Sequence, residues 1–327
     1  MELPPPLREA VDRELHGVPT ADLARAVGAL SQRYRAETRD GRLHVSDDLS
    51  ARAYLATRLP ATFAAVRAAM SAAAELRPDF TPVSSLDVGA GPGTATWAAV
   101  QCWGSLADAE LVEASRAMRA CGERLAGALP IAQVTWHAAD AAARRPEAAP
   151  RDLVTLAYVL GEVDPAARGP LIERLWTATA DMLLIVEPGT PGGWERIIAA
   201  RALLLRAGAH MVAPCPHALD CPLAAPDWCH FVRRVARSRV HRLAKGGDVP
   251  WEDEKFIYLA VARQPAVQAA ARVIAPPRAA SGRVSLKLCR GDGTAAEQLV
   301  TRREAALYKT ARRLAWGDVL RDGLDGS

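Results

Sequence analysis

The sequence predicts an α/β fold, in which a mostly parallel sheet of seven strands is covered by helices on both faces. From residue 83 onward, short apolar runs of strand length alternate with helical stretches, and a glycine-rich turn follows the first run. Alternation of this kind favours parallel sheets, because each crossover helix packs back onto the sheet. We expect the last two runs to complete the sheet as an edge pair. The predicted strands are 83–88, 109–113, 131–136, 153–157, 182–187, 256–261 and 283–288.

The composition limits the class of protein. The chain has 327 residues, of which 50% are apolar and 24% are charged, so it can bury a full core and is predicted to be globular and soluble. No uncharged apolar run approaches about 18 residues, and we therefore expect no membrane partner. The first nine residues mix acids with bases and lack an apolar stretch, which argues against a secretory signal or a transit peptide. These features predict a cytoplasmic, bacterial protein.

Three regions follow from the pattern. The first is predicted to be helical, with Pro60 at the start of a helix. Pro78 and Pro82 mark its end, because proline interrupts regular structure. The predicted regions are 1–80, helical; 81–263, a nucleotide-binding domain with a cysteine-rich insertion at 210–250; and 264–327, which carries the last strand and a basic helix.

The glycine-rich turn predicts a nucleotide site. The strand ending at Val88 runs directly into a segment with glycine at alternate positions, and a helical stretch follows. Glycine lets the backbone turn tightly and lets a ligand approach main-chain N–H groups at a helix start. An acid about 20 residues further on can accept both ribose hydroxyls, and an acid after the third strand is placed for an adenine amino group. The predicted adenosine-binding residues are Asp87, Gly89, Gly91, Gly93, Glu113 and Asp140.

The position of Asp87 distinguishes between cofactors. An acid two positions before the glycines resembles the first motif of class I S-adenosylmethionine-dependent methyltransferases, whereas dehydrogenases usually lack it. We therefore favour S-adenosylmethionine over a nicotinamide dinucleotide. The end of the fourth strand lacks the Asn or Asp followed by two prolines and an aromatic that many amino-methylating enzymes carry. No catalytic residue is assigned, and Tyr158 and Glu162 are candidates either for the substrate side or for a structural role.

The cysteines divide into two groups. Cys102 and Cys121 stand alone in apolar helical stretches and are predicted to be packed. The others indicate a metal site, since clustered thiols in a reducing compartment point to metal binding or catalysis. Three lie within fifteen residues and a fourth follows later in the chain. These candidate ligands are Cys215, Cys221, Cys229 and Cys289.

The residues alone leave three interpretations of these thiols open. Thiolates bind both zinc and iron–sulfur clusters, so the first three cysteines with His217 or His230 would make a zinc site. Alternatively, Cys215 after a proline would be the nucleophile of an RNA cytosine methyltransferase. Its position among other thiols favours the role of a ligand.

Basic residues predict a polynucleotide-binding surface. The net charge is only +4, but its distribution is uneven. No acidic residue occurs between Asp227 and Asp248, whereas several arginines and a lysine lie in that segment. A predicted helix over 297–315 adds a second basic face. Such blocks bind phosphates or form a solvated face. The predicted RNA contacts are Arg233, Arg234, Arg237, Arg239, Arg242, Lys245, Arg302, Lys309 and Arg313.

Several segments resemble the Rsm22 family of small-ribosomal-subunit methyltransferase-like proteins, which occurs in bacteria and mitochondria. They are 58–63, the glycine turn, 186–193, 213–217, 221–223, 228–231, 252–256 and 316–318. The resemblance implies a class I methyltransferase fold and association with small-subunit ribosomal RNA during ribosome assembly. It also implies a 4Fe-4S cluster held by Cys215, Cys221, Cys229 and Cys289. We expect an rRNA methyltransferase, with a non-catalytic assembly factor as the alternative.

Overall fold

The computed structural model describes residues 1–38, 40, 42–143 and 149–321. Within this part of the chain, four helices precede the first strand. Helix α3 begins at a capping box, in which the Asp47 side chain accepts from the Ser50 backbone N–H and the Ser50 hydroxyl accepts from the Asp47 N–H. The helices are α1 (Pro5–Leu15), α2 (Thr20–Arg35), α3 (Asp48–Thr57) and α4 (Leu59–Leu76), the last with Pro60 in its first turn.

The main sheet begins with five parallel strands, at the positions that the apolar runs predicted. Across the sheet, these strands lie in the order β3-β2-β1-β4-β5. They are β1 (Ser84–Val88), β2 (Asp108–Val112), β3 (Gln133–His137), β4 (Arg151–Ala157) and β5 (Thr179–Pro188). Four helices connect or follow them in the described chain: α5 (Thr94–Cys102), α6 (Arg116–Ala126), α7 (Pro165–Thr177) and α8 (Pro191–Arg206).

The other side of the sheet differs from the prediction. Strand β8 (Trp251–Ala262) lies antiparallel to β5 and pairs with both β6 (His210–Ala213) and β7 (Phe231–Ala236). The main sheet therefore has eight described strands rather than seven. Strand β6 is too short to stand out as an apolar run. The order β3-β2-β1-β4-β5-β8-β6, with β8 antiparallel, is that of the class I methyltransferase fold.

Residues 271–320 form a second sheet, and the prediction that 283–288 completes the main sheet is wrong. The five strands described here pair antiparallel around a core of their own, which includes Val273, Leu286 and Val300. They are β9 (Ala271–Val273), β10 (Arg278–Ala280), β11 (Arg283–Arg290), β12 (Ala295–Thr301) and β13 (Val319–Leu320).

The predicted basic helix over 297–315 is also wrong in its bounds. Residues 297–301 belong to β12, where they pair with β11. Helix α9 (Arg239–Lys245) lies between β7 and β8, and helix α10 covers only Ala305–Ala311. The apolar spacing of this segment is compatible with both structures, and the long-range pairing with β11 determines the outcome. Residues 322–327 of the predicted third region lie outside the described residues. No helix in the described ranges has both the length and the apolarity needed to cross a bilayer.

Candidate functional site

The glycine turn connects β1 to α5 in the conformation that only glycine adopts readily. Gly89, Gly91 and Gly93 have φ angles of 67°, 56° and 81°. A Cβ atom on Gly89 would lie 2.4 Å from the Val159 side chain, so the turn also requires a residue without a side chain. The Gly91 backbone N–H donates to a Glu113 carboxylate oxygen at 2.9 Å. The acid at the end of β2 therefore holds the turn.

A pocket opens at the carboxyl edge of the parallel strands, where ligands bind in open α/β sheets. Four of the predicted cofactor residues line it, namely Gly89, Gly91, Glu113 and Asp140. The second Glu113 oxygen accepts from the Ser115 N–H at 2.7 Å. Burial raises the pKa of the Glu113 carboxyl. Each carboxylate oxygen has a further lone pair, so Glu113 can accept from a bound ligand as well.

The remaining two predicted residues lie behind the turn rather than in the pocket lining. Asp87 is 2% exposed and accepts from the Thr155 hydroxyl at 2.7 Å, which joins β1 to β4. Burial raises the pKa of the Asp87 carboxyl to about 6. Gly93 caps α5, and a Cβ there would lie 3.1 Å from Leu111. Both residues position the turn.

The wall opposite the turn contains charged residues that the sequence did not single out. Glu187, at the end of β5, is fully buried and accepts from Arg196 Nε at 2.6 Å and from the Leu160 N–H at 3.0 Å. The remaining Arg196 nitrogens donate to Glu37 at 3.1 and 3.2 Å. Glu187 falls inside the 186–193 segment that carried the family resemblance, which was the available signal. This chain of charges ties α8 and the N-terminal helices to the pocket.

Glu162 and Tyr158, the two candidates at the end of β4, both line the pocket. Burial, together with the charges of Glu113 and Glu187, raises the pKa of Glu162 to about 8. Tyr158 has a φ of 62° and donates its hydroxyl to Glu254 at 2.9 Å. Glu254, on β8, therefore anchors the Tyr158 side chain in the pocket wall.

A second cavity brings together the four candidate metal ligands. Two lie in the segment after β6, one lies two positions before the start of β7, and the fourth is on β11 of the second sheet. The cavity wall also includes apolar side chains, among them Ile257 and Leu259 of β8. Burial raises the pKa of three of the thiols. The four cysteines that line the cavity are Cys215, Cys221, Cys229 and Cys289.

The chemistry of this donor set fits a thiolate-bound metal centre, since soft sulfur donors in dry surroundings suit zinc and iron–sulfur clusters. His217 lines the same cavity and lies beside Cys289, with 3.4 Å between Nε2 and Sγ. Among the residues that the structure describes, no group of three or more His, Cys, Asp or Glu side chains is close enough to hold one metal ion. The four described thiols line one cavity without forming such a group.

The basic segment after Cys229 contains no acidic residue, but acidic residues from another strand lie beside it in the structure. Strand β7 pairs with the part of β8 that carries Glu252 and Asp253. Ion pairs join Arg234 to Asp253 at 3.0 Å, and join Arg237 and Lys245 to Glu252 at 2.9 and 2.7 Å. Arg242 is half-buried. The remaining predicted RNA contacts are exposed: Arg233, Arg239, Arg302, Lys309 and Arg313.

The family profile described as "Mitochondrial small ribosomal subunit Rsm22" matches residues 48–321. The chain belongs to the Rsm22 family. The human protein "Ribosome assembly protein METTL17, mitochondrial" is 30% identical over 288 residues, which cover 82% of this chain and 61% of the relative. Two Schizosaccharomyces pombe proteins, the mitochondrial Rsm22-cox11 tandem proteins 1 and 2, are each 26% identical over 194 residues, or 45% of this chain and 26% of theirs. The chain spans less than two thirds of the length of these Rsm22 relatives.

The predicted bacterial cytoplasmic location is contradicted by these matches, because the family description and all three relatives are mitochondrial. The prediction relied on the composition of the first nine residues. Those residues cannot identify the compartment of a sequence that matches only part of its relatives.

Proposed function

We propose that this Rsm22 protein binds S-adenosylmethionine and a 4Fe-4S cluster and acts on small-subunit ribosomal RNA during ribosome assembly. The observation that carries the proposal is that four cysteines separated by up to 74 positions, from 215 to 289, line one cavity beside the nucleotide pocket. The two cavities share helix α8, which contributes Arg196 to the nucleotide pocket and Trp194 to the cysteine cavity. The name of the human relative supports the role in ribosome assembly.

For the nucleotide, the proposal assigns a role to each pocket residue. Glu113 accepts the ribose hydroxyls while it holds Gly91, and Asp140 accepts from the adenine amino group. When bound, S-adenosylmethionine supplies an electrophilic methyl group. Glu162 faces the pocket as a carboxyl and favours the positive sulfonium once it is ionised.

Turnover is tested by methyl transfer. Purified protein is incubated with immature small ribosomal subunits and tritiated S-adenosylmethionine, and an Asp87→Ala variant serves as the comparison. Transfer to rRNA by the wild-type protein alone supports an enzyme. A second candidate, an assembly factor without turnover, is favoured by the Tyr158 hydroxyl, which already donates to Glu254. Tyr158 follows β4, where many amino-methylating enzymes instead carry an Asn or Asp followed by two prolines and an aromatic. That candidate predicts rRNA binding without transfer.

For the metal, the four thiols are the proposed ligands, and a cluster there would join the loop after β6 to the second sheet through Cys289. A closed thiolate site contributes folding free energy in this way. Anaerobic purification, an absorption spectrum and iron, sulfide and zinc analysis test the assignment. Four irons with matching sulfide support the cluster, whereas zinc without sulfide supports the alternative metal.

The nucleic-acid surface is proposed to consist of exposed basic side chains that have no carboxylate partner in the described structure. Examples are Arg233 and Arg239, in and near β7, and Lys309 in α10. Phosphate contacts release counterions, so affinity for rRNA is expected to fall steeply as salt increases. A nearly constant affinity between 50 and 200 mM salt would contradict this surface.

A further inference from the structure

Two arginines form part of the wall of the cysteine cavity. Arg201 of α8 is 4% exposed, and Arg272 of β9 is 1% exposed. A guanidinium remains charged under all ordinary conditions. Removing such a charge from water costs several kcal/mol unless a partner compensates it. The cavity therefore contains two buried positive charges whose partners must be identified.

Their hydrogen bonds go to neutral groups. Arg201 donates to the backbone oxygens of His217 and Leu219 at 2.9 and 2.6 Å. Arg272 donates to the oxygens of Pro214 and Gly317, the latter at 2.8 Å. Within the described residues, Nε of Arg201 and one terminal nitrogen of Arg272 have no acceptor. These bonds fix the cysteine loop but leave the charges uncompensated.

The other buried arginines show what is missing here. Arg77 forms ion pairs with Asp79 and Asp181, and Arg196 forms ion pairs with Glu187 and Glu37. For Arg201 and Arg272, no ion pair with a carboxylate occurs in the described part of the chain. The other ionisable groups that line their cavity are the four cysteines, His217 and Tyr258, and none of these is a carboxylate.

We infer that Arg201 and Arg272 are the counter-charges of an anionic, thiolate-bound metal centre in this cavity. The inference rests on the metal centre proposed above. A centre with four thiolate ligands is an anion, and two guanidiniums beside it lower the cost of burying it. Arg201 acts from the main domain and Arg272 from the second sheet, so the centre draws compensating charge from both cores. Both are positioning residues and are not metal ligands.

The inference predicts effects of opposite sign in the loaded and unloaded protein. With the metal present, each arginine stabilises the centre. Without it, each is an uncompensated buried charge and destabilises the fold. Arg272→Met removes charge and hydrogen bonds at nearly constant length, while Arg272→Lys keeps the charge and loses the planar fork. A difference in metal retention or stability between the two variants therefore measures the effect of the positive charge.

The experiment uses the full chain, loaded with metal under anaerobic conditions. The rate of metal loss to a chelator and the melting temperature are measured for the wild type, Arg201→Met, Arg201→Lys, Arg272→Met and Arg272→Lys, and the melting temperature is measured again after demetallation. We expect the Met variants to lose metal at least tenfold faster, with recovery in the Lys variants. We also expect them to melt at or above the wild-type temperature when demetallated. An iron–sulfur form should also show a lower reduction potential in the Met variants.

The matched control is Arg263→Met. Arg263 also donates to two backbone oxygens, those of Trp176 and Thr179, but lies outside the cavity. It should leave the rate of metal loss unchanged. Equal effects of Met and Lys at positions 201 and 272 would overturn the inference and leave only a role in holding the loop. A wild-type chain that takes up no metal would overturn the proposed centre and this inference with it.

Discussion

The Nε2 atom of His217 lies 3.4 Å from the Sγ atom of Cys289, although the two residues are 72 positions apart in the chain. His217 belongs to the segment after β6, and Cys289 belongs to β11 of the second sheet. Their contact is a direct link between the two cores at the cysteine cavity. It also places the histidine of the zinc interpretation beside the fourth thiol of the cluster interpretation, so two variants can distinguish them.

If the centre has four thiolate ligands, Cys289→Ala should reduce bound metal at least tenfold, and His217→Ala should retain most of it. A site of three cysteines with His217 predicts the reverse order. Metal content per chain after anaerobic purification is the measurement. Cys121→Ala is the control, since this thiol is buried in α6 away from the cavity. Full metal content in the Cys289 variant would contradict the four-thiol centre.

Gly91→Ala should weaken S-adenosylmethionine binding at least tenfold with a modest cost in stability. The added methyl group would meet Met118 at 3.6 Å, an ordinary contact, so the unliganded fold accommodates it. The positive φ of 56° costs about 1–2 kcal/mol for a residue with a Cβ atom. In the pocket, the methyl group would occupy space where the ligand approaches the turn. Calorimetric titration and denaturant unfolding measure the two effects.

Gly28→Ala is the matched control for that substitution. Gly28 lies inside α2, and a Cβ there would have no neighbour within 4 Å. Alanine should stabilise the protein by up to about 1 kcal/mol, because glycine is the poorer helix former. Nucleotide affinity should not change. Equal losses of affinity in both variants would contradict the proposal that the nucleotide approaches the turn at Gly91.

The preference for S-adenosylmethionine over S-adenosylhomocysteine should increase with pH through about 8, where Glu162 ionises. The carboxylate attracts the positive sulfonium, which the demethylated product lacks. Glu162→Gln should make the ratio of the two dissociation constants independent of pH over this range. Glu195→Gln, on the exposed side of α8, is the control. A wild-type ratio that stays constant between pH 7 and 9 would contradict a role for Glu162 at the sulfonium.

Asp87 should make the protein less stable as pH increases from about 4 to 6. Its folded pKa, about 6, is above the ordinary value of 3.8, so the folded state binds the proton more tightly than the unfolded state. The resulting stabilisation is complete below the unfolded pKa and is lost as pH rises through the folded pKa. The shift corresponds to at most about 3 kcal/mol. In the Asp87→Asn variant, the free energy of unfolding should no longer decrease with pH over this range. An unchanged decrease would mean that other groups cause it.

Arg239→Ala should lower affinity for small-subunit rRNA and reduce the slope of log affinity against log salt by about 1. Arg234→Ala should change that slope less, because Asp253 already pairs with Arg234 at 3.0 Å. Filter binding at several salt concentrations measures both slopes. Equal changes would mean that the ion pair with Asp253 opens when RNA binds.

Local sequence patterns predicted the parallel half of the main sheet and the glycine turn, since each of those strands contains a short apolar segment between helical stretches and the turn has a defined glycine spacing. The second sheet was missed because the pairing of β12 with β11 is a tertiary effect, and Leu299 and Val300 fit a helix as well as a strand. The cysteine pattern alone suggested Cys289 as a fourth ligand, and the family resemblance implied the same set of four. Arg201 and Arg272 were missed because sequence alone does not indicate which arginines are buried.

The location of Cys289 on β11 has a consequence for how the protein is made. A ribosome synthesising this chain delivers Cys215, Cys221 and Cys229 together, but the fourth thiol emerges only after a further 60 residues. A metal or cluster inserted before then would have only three thiol ligands, and one coordination position would remain unfilled. If a metal centre forms on these four thiols, its completion must therefore wait until β11 of the second sheet has been synthesised.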